Sequence, residues 1–347
     1  MKVLIIGGTG LISTGITRLL LQRGFEVTHF NRGKRSCEFD GQVGFVTGDR
    51  YIHAAFEASV AGLPAFDAVI DMIGYEPDDV RSLIRAFGGR CGHLIFCSTV
   101  DVYARPASTY PVRANEPFRP AAWDYAQKKA VCECILWDWY DRERHPFTVI
   151  RPVHTYGEQG VVLHSFGGAS YHLDRMMKGK PIIVHGDGSS LWSSVHRDDA
   201  AVAFCNAICN PVAFGKSYHL PGDECVTWNQ YHEIVAEAIG APPPRLVHIP
   251  TDLLAVIDSR AFISAINFSY NNCFDPAAAK TDLGYSYRTT IAEGARQIYA
   301  WLAVNGKLEN SDETPQDDRI LAAWEDAARW MVATLADSAE SVRVEER

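Results

Sequence analysis

The chain of 347 residues is longer than one hydrophobic core usually serves, so two packed units are expected. With 47% apolar and 22% charged residues it has the composition of a folded globular protein, which excludes a disordered or low-complexity chain. A formal net charge of -9 argues against a general nucleic-acid binder, and no apolar run approaches the roughly 20 residues that cross a bilayer.

Only four apolar residues, Val3 to Ile6, precede Gly7-Gly8, so no signal peptide is read and a cytoplasmic location is expected. They read as a buried strand. Residues 11–23 follow as a helix with Ile12, Ile16, Leu19 and Leu20 on one face, and Gly24 ends it. Residues 26–30 form a second strand, with further short strands at 43–46, 68–71, 93–97 and 148–150. Helical patterns at 78–87 and 123–143 lie between or after them. This alternation predicts an α/β fold with a doubly wound parallel sheet over residues 1–152. Beyond Arg151-Pro152 the chain turns loop-rich, with helices at 198–209, 228–239 and 290–305. Residues 153–308 are expected to form a smaller mixed unit that caps the sheet, with some chain returning to the first unit. An acidic linker at 310–318 then precedes an amphipathic helix, whose apolar stripe from Ile320 to Leu335 would pack on the body or a second subunit. The nine cysteines form no Cys-x-x-Cys pair and read as reduced, mostly buried residues, Cys205 and Cys209 included.

The chemistry begins at Gly7-Gly8-Thr9-Gly10-Leu11-Ile12-Ser13, between a strand and a helix. Glycine lets the backbone approach a pyrophosphate, and the helix N-terminus offers free N–H groups to it, as in a Rossmann dinucleotide site. The second strand ends Phe30-Asn31-Arg32-Gly33-Lys34-Arg35, without the acid that holds a 2′-hydroxyl in NAD sites. Asn31 and Arg32 there suit a 2′-phosphate, so NADP is preferred over NAD. Gly48-Asp49-Arg50 follows another strand, and Asp49 and Arg50 are placed near the adenine.

Tyr125 and Lys129 stand four apart on a predicted helix, hence on one face. A cation beside the phenol would lower its pKa and suit it to acid/base work at a hydroxyl or carbonyl. Ser98-Thr99-x-Asp101-x-Tyr103 follows the strand at 93–97, at the sheet edge where ligands bind. Arg151-Pro152-Val-His154-Thr-Tyr156-Gly157 follows another strand.

In this order the motifs resemble the extended short-chain dehydrogenase/reductases, including the NAD-dependent epimerase/dehydratase family of sugar-nucleotide enzymes. The resemblance covers about residues 1–305. The Asn-Arg-Gly-Lys ending is also similar to atypical extended members, the chloroplast stem-loop-binding proteins among them. The resemblance implies Thr99 as the catalytic hydroxyl with Ser98 as a substitute, Tyr125 as acid/base, Lys129 on the nicotinamide ribose and Pro152 near the carboxamide. Asp101 falls where the family's 4,6-dehydratases carry an acid, but Val100 stands beside it, so the dehydratase pair is incomplete. Trp192 stands where the family's diphosphate-binding arginine is expected, leaving Arg175 or Arg197 to replace it or a substrate without a diphosphate. His154, Tyr156, Arg175, Trp192 and His196 are the candidate substrate contacts. The histidines fit no metal motif, and no metal is expected.

The expected function is an NAD(P)-dependent epimerase or oxidoreductase acting on a sugar or nucleotide-sugar-like substrate through a keto species. The alternatives are a net NADPH-dependent ketoreductase of a non-nucleotide substrate and an RNA-associated member without the chemistry. The aromatic helix at 123–143 implies, by resemblance, a homodimer.

Overall fold

The computed structural model describes residues 1–119 and 123–345, with side chains through 336. β1 (Lys2–Ile6) runs into the glycine turn and α1 (Leu11–Gln22), and β2 (Glu26–Asn31) returns beside β1. β3 (Gly44–Thr47), α2 (His53–Ala61), β4 (Phe66–Asp71), α3 (Pro77–Phe87), β5 (Cys91–Cys97), α4 (Asp124–Glu143) and β6 (Phe147–Pro152) continue the alternation. The seven-stranded sheet is parallel throughout: a later strand, β11 (Lys216–Leu220), stands at one edge, and the order is β11-β6-β5-β4-β1-β2-β3.

Why β1 is a continuous apolar run is visible in its packing. Val3 and Ile5 face one core with Ile16, Leu20 and Phe204, while Leu4 and Ile6 face the other with Phe56, Leu83 and Leu136. Successive side chains point to opposite faces, and both faces of this sheet are covered by helices. The strand order reverses about β1, between β2 and β4. Beyond its carboxyl end lies the crevice that such sheets open.

After β6, β7 (His154–Tyr156), α5 (Tyr171–Met177), β8 (Ile182–His185), β9 (Leu191–Trp192) and β10 (Ser194–His196) lead to α6 (Arg197–Ala207). α6 packs on α1, and β11 (Lys216–Leu220) joins the large sheet beside β6. The chain then leaves again through β12 (Val226–Thr227), α7 (Trp228–Ile239), β13 (Leu246–Ile249) and α8 (Thr251–Ile257). A single π-helical turn, Ser264–Phe268, follows. α9 (Ala277–Leu283), α10 (Ile291–Val304) and α11 (Gln316–Glu345) complete the described chain. α7 and α10 share a separate core around Trp228, Val235 and Ile298. Each of these two helices begins with a reciprocal cap, Thr227 with Gln230 and Thr290 with Glu293.

The acidic segment at 310–318 is a docked strap rather than a linker, which corrects the sequence expectation. Ser311 N donates to Asp174 Oδ2 at 2.8 Å, Asp312 pairs with Lys178 and Lys180, and Asp317 is buried against Arg260 at 2.9 Å. These cations come from distant segments, so the sequence could not show that the acids were paired. The apolar stripe of α11 divides: Ile320 and Leu321 pack on Ile183, Ile249 and Leu254, while Trp330, Met331 and Leu335 are exposed. No helix among the described residues is long and apolar enough to cross a membrane.

Candidate functional site

A cavity of about 630 Å³ opens over the carboxyl ends of β1, β4, β5 and β6. The glycine turn forms one end. Gly7 has φ of +89° and a Cβ there would lie 2.6 Å from Ile73, so glycine is required twice over. At Gly10 packing leaves room for a Cβ, and glycine instead keeps open the cavity that it lines. α1 begins at Gly10 with no side-chain cap and no acid in its first turn. Its first N–H groups therefore remain available to an anion. Leu11 and Ile12 line the cavity beside them, and Pro152 closes the wall from β6. These residues fit a dinucleotide pyrophosphate.

At the rim, Asn31 Oδ1 accepts from Gly33 N at 2.9 Å, while the buried Asn31 Nδ2 has no partner. Arg32 is exposed beside it. Asp49 Oδ1 accepts from Tyr51 N at 3.0 Å, an ordinary turn contact. Arg50 corrects the sequence expectation. Its side chain is buried, paired with Asp71 at 3.1 Å and stacked over Phe56 at 4.2 Å, away from the cavity.

The middle of the cavity holds Thr99, Tyr125 and Lys129. Lys129 is buried; its Nζ donates to Cys97 O at 2.7 Å and lies over the rings of Tyr75 and Phe96 at 4.9 and 4.6 Å. Thr99 Oγ1 donates to Asp101 Oδ2 at 2.9 Å. Asp101 Oδ1 accepts from Asn267 Nδ2 at 2.7 Å and from Arg105 Nη2 at 3.3 Å. Asp101 is thus held by three donors. Burial, and next the charge of Asp101, push the Tyr125 phenol well above its usual value, and the hydrogen bond with Thr99 offsets only part of this. The expectation of a lowered pKa is corrected: a desolvated phenol beside a carboxylate keeps its proton.

Ser98 points into a different network. Its hydroxyl donates to Glu133, which also takes Arg151 Nε at 2.9 Å and Nη2 at 2.6 Å. Arg151 donates in turn to Tyr103, and the Tyr103 hydroxyl hydrogen-bonds His219 Nε2 at 2.8 Å. This buried chain ties α4 to β5, β6 and β11. Arg151→Met leaves the buried Glu133 carboxylate with the Ser98 hydroxyl but without its cation, which should cost about 3–5 kcal/mol in urea denaturation. A loss below about 1 kcal/mol would show that water reaches the carboxylate.

Of the candidate substrate contacts, His154 and Trp192 line the cavity. Burial holds His154 down to about 4, so its ring is neutral at pH 7. Three others are corrections. Arg175 is buried away from the cavity, donating to Pro181 O at 3.1 and 2.9 Å and pairing with Asp318 at 2.8 Å. The Tyr156 hydroxyl donates to Thr289 O and Thr290 O, both at 3.1 Å, at the start of α10. His196 caps α6 through Nδ1, 3.3 Å from Asp198 N. Arg197, the other stand-in for the missing arginine, is tied to Glu158 O at 2.8 Å and Glu158 Oε2 at 3.0 Å.

Several lining residues escaped the sequence reading. Tyr75 packs 6.1 Å from Tyr125 and is pushed up to about 12 by burial. It lies just past β4, and the rule that ligands bind at strand ends would have found it. Ile263, Asn267 and Phe268 come from the π-helical turn and its flank, and no local signal marks them. Such turns recur at functional sites. Among the described residues no group of three or more His, Cys, Asp or Glu is placed to hold a metal ion.

The sequence pattern of the NAD dependent epimerase/dehydratase family matches residues 3–220. The chloroplast stem-loop binding protein of 41 kDa b of Arabidopsis thaliana is 26% identical over 335 residues, 92% of this chain and 84% of that protein. The 2'-dehydrokanamycin reductase of Streptomyces kanamyceticus is 27% identical over 243 residues, 70% of this chain and 68% of that one. Among solved structures, UDP-glucose 4-epimerase from Bifidobacterium longum, in complex with NAD+ and UDP, superposes with a TM-score of 0.69 at 19% identity, covering 89% of this chain and 100% of that one. That likeness is one of fold.

Proposed function

This chain belongs to the NAD-dependent epimerase/dehydratase family, and we propose that it catalyses hydride transfer at a hydroxyl or keto carbon with Tyr125 as acid/base. The observation that carries the reading is the convergence of Thr99, Tyr125 and Lys129 with the glycine turn in one cavity. A bound nicotinamide supplies or accepts the hydride there. The α1 N-terminus and the glycine turn hold the pyrophosphate, Lys129 the ribose, and Pro152 borders the carboxamide. Tyr125 gives its proton to the carbonyl oxygen as the carbon is reduced to an alcohol, or takes it back in the reverse direction. A phenol that keeps its proton at neutral pH is ready to serve as the acid of the reduction step. In an epimerase the keto species would turn in place and be reduced again. Likeness to the relatives, rather than the cavity walls, points to a sugar-like substrate, and a homodimer through α4 and a cytoplasmic location are part of the same reading. Sedimentation showing only monomer would remove the dimer.

NADP is the proposed cofactor, because β2 ends in Asn31 and the exposed Arg32 rather than an acid. Arg32→Ala should raise the Kd for NADPH by roughly 10–100-fold, the worth of a charge-assisted hydrogen-bond pair. NADH affinity, read by the same fluorescence titration, should stay unchanged. Equal losses for both cofactors would remove Arg32 from 2′-phosphate recognition.

A second reading, an RNA-associated protein without catalysis, draws on the likeness to the chloroplast stem-loop binding protein. The net charge of -9 weighs against it. Mass spectrometry of small molecules released from the denatured protein, followed by NADPH titration, separates the two. Nicotinamide release or uptake supports the enzyme. Neither, together with an RNA mobility shift at physiological salt, supports the second reading.

A further inference from the structure

Beyond Tyr125 the cavity continues between Val153, Leu163, Trp192, Ile263, Phe268 and Phe274. These six are apolar and three of them aromatic, while His154, Thr155, Ser193, Asn267 and Asn272 add polar groups to the walls. Trp192 is wedged against Trp228 and Phe268, with ring centroids 4.9 and 5.0 Å apart, so it does not swing aside cheaply.

Charge is the decisive feature. Among the described residues lining this cavity, Lys129 is the one Lys or Arg, and Asp101 opposes it. Each arginine nearby already faces a carboxylate, although Arg105 keeps Nε and Nη1, Arg175 Nη1 and Arg197 Nε without a further hydrogen-bond partner, and none of the four lines the cavity. Arg105 is buried against Asp101, Arg197 against Glu158, Arg175 against Asp318, and Arg260 between Asp258 and Asp317. The neighbouring residues of the same two segments, Ser189, Ser190 and Ser269 to Asn271, line a second recess of about 400 Å³. It contains Asp187 and, among its described lining residues, no Lys or Arg. A substrate diphosphate would bring two negative charges to either place with no cation to meet them beyond Lys129, which the ribose of the cofactor would take. The effective cost of an unpaired buried ion is several kcal/mol each, more than a sugar's hydrogen bonds return.

Three polar atoms in the cavity walls lack partners: the Trp192 indole N–H, Asn267 Oδ1 and His154 Nδ1. Trp192 is 5% exposed and Asn267 6% exposed. Buried polar atoms are normally satisfied by protein, water or ligand, so these three are free to meet a ligand's donors and acceptors. Together they suit a molecule that accepts a hydrogen bond from Trp192 and donates one to Asn267, with His154 Nδ1 able to do either according to its tautomer.

We propose that the substrate is an uncharged carbonyl or alcohol with an apolar or aromatic body, and that Trp192 and Asn267 hydrogen-bond its further oxygen substituents. This rests on the hydride-transfer reading above, and it replaces a sugar diphosphate by a neutral ring compound.

The test uses the full chain with NADP added and isothermal titration with four probes: 2-tetralone, 1-decalone, UDP and UDP-glucose. At least one ketone should bind roughly tenfold or more tighter than either uridine compound, a gap of one hydrogen bond or more. UDP or UDP-glucose binding as tightly as the ketones, or binding by none of the four, overturns the proposal. NADPH titration of the same preparation tests the hydride-transfer reading separately. A chain that binds no nicotinamide fails that reading, while the four titrations still decide the substrate class. Trp192→Phe keeps the ring and removes the N–H. For 2-tetralone carrying a ring hydroxyl, KM should rise roughly tenfold and kcat change much less. For the unsubstituted ketone KM should not move. An equal rise for both would mean that Trp192 only packs.

Discussion

Replacing Tyr125 by phenylalanine should lower kcat for carbonyl reduction by roughly 10²–10⁴-fold, the usual worth of a positioned general acid. The ring would keep its packing on Tyr75 and Trp123, with centroids 6.1 and 5.0 Å away, so folding should be unaffected. The Kd for NADPH should stay within about threefold, because the phenol oxygen faces the substrate and Lys129 remains to hold the ribose. Steady-state NADPH oxidation together with fluorescence titration checks both halves. A kcat loss smaller than about tenfold would remove Tyr125 from proton transfer. A parallel loss of NADPH binding would instead assign it to the cofactor. The loss is expected to be large because the polar groups beside the phenol are already engaged. Thr99 donates its one proton to Asp101, and Asp101 is already held by three donors.

Acidification between pH 6.5 and 4 should unfold the protein steeply. The cause is a set of buried histidines that the fold keeps neutral. Burial lowers His172 and His185 to about 4, and His93, His219 and His232 to about 3. An unfolded histidine titrates near 6.5. Below that pH the unfolded chain takes up protons that the folded chain refuses, so stability is complete above 6.5 and falls as pH falls. At pH 5 each such group costs about 2 kcal/mol, and few domains have more than 5–15 kcal/mol to lose. His232 isolates the effect. Neither ring nitrogen has a partner, and it packs beside Trp228 and Tyr231. His232→Phe should therefore fold at pH 7.5 and lose about 2 kcal/mol less than the parent between pH 7.5 and 5. Urea denaturation at both pH values measures this. Equal losses in parent and variant would mean that His232 is hydrated and titrates normally.

What could be read in the sequence was local in origin. The glycine turn needs a strand, three glycines and a helix start within about ten residues, and each requirement is a backbone constraint written into that short stretch. Tyr125 and Lys129 share a face because helical periodicity puts residues four apart together. Glu133 lies four residues further along the same helix, but its pairing with Arg151 emerged only in the fold. The alternation of strands and helices set the parallel sheet, and the missing acid after Phe30 bore on the cofactor.

Which charges were free was decided only by the tertiary structure. Arg50, Arg175 and Arg197 read in the sequence as cations ready for a ligand. Each is instead neutralised by an acid or carbonyl brought up by the fold: Asp71, Asp318 and Glu158. A buried guanidinium must be paired, and its partner can lie anywhere along the chain; Asp318 is 143 residues beyond Arg175. The walls beyond Tyr125 follow the same logic. Trp192, Asn267 and Phe274 line one cavity because β9, a π-helical turn and the segment after that turn all reach it. Local propensity governs backbone shape, but the sign of the charge at a site depends on every residue that reaches it, and that is a property of the folded chain.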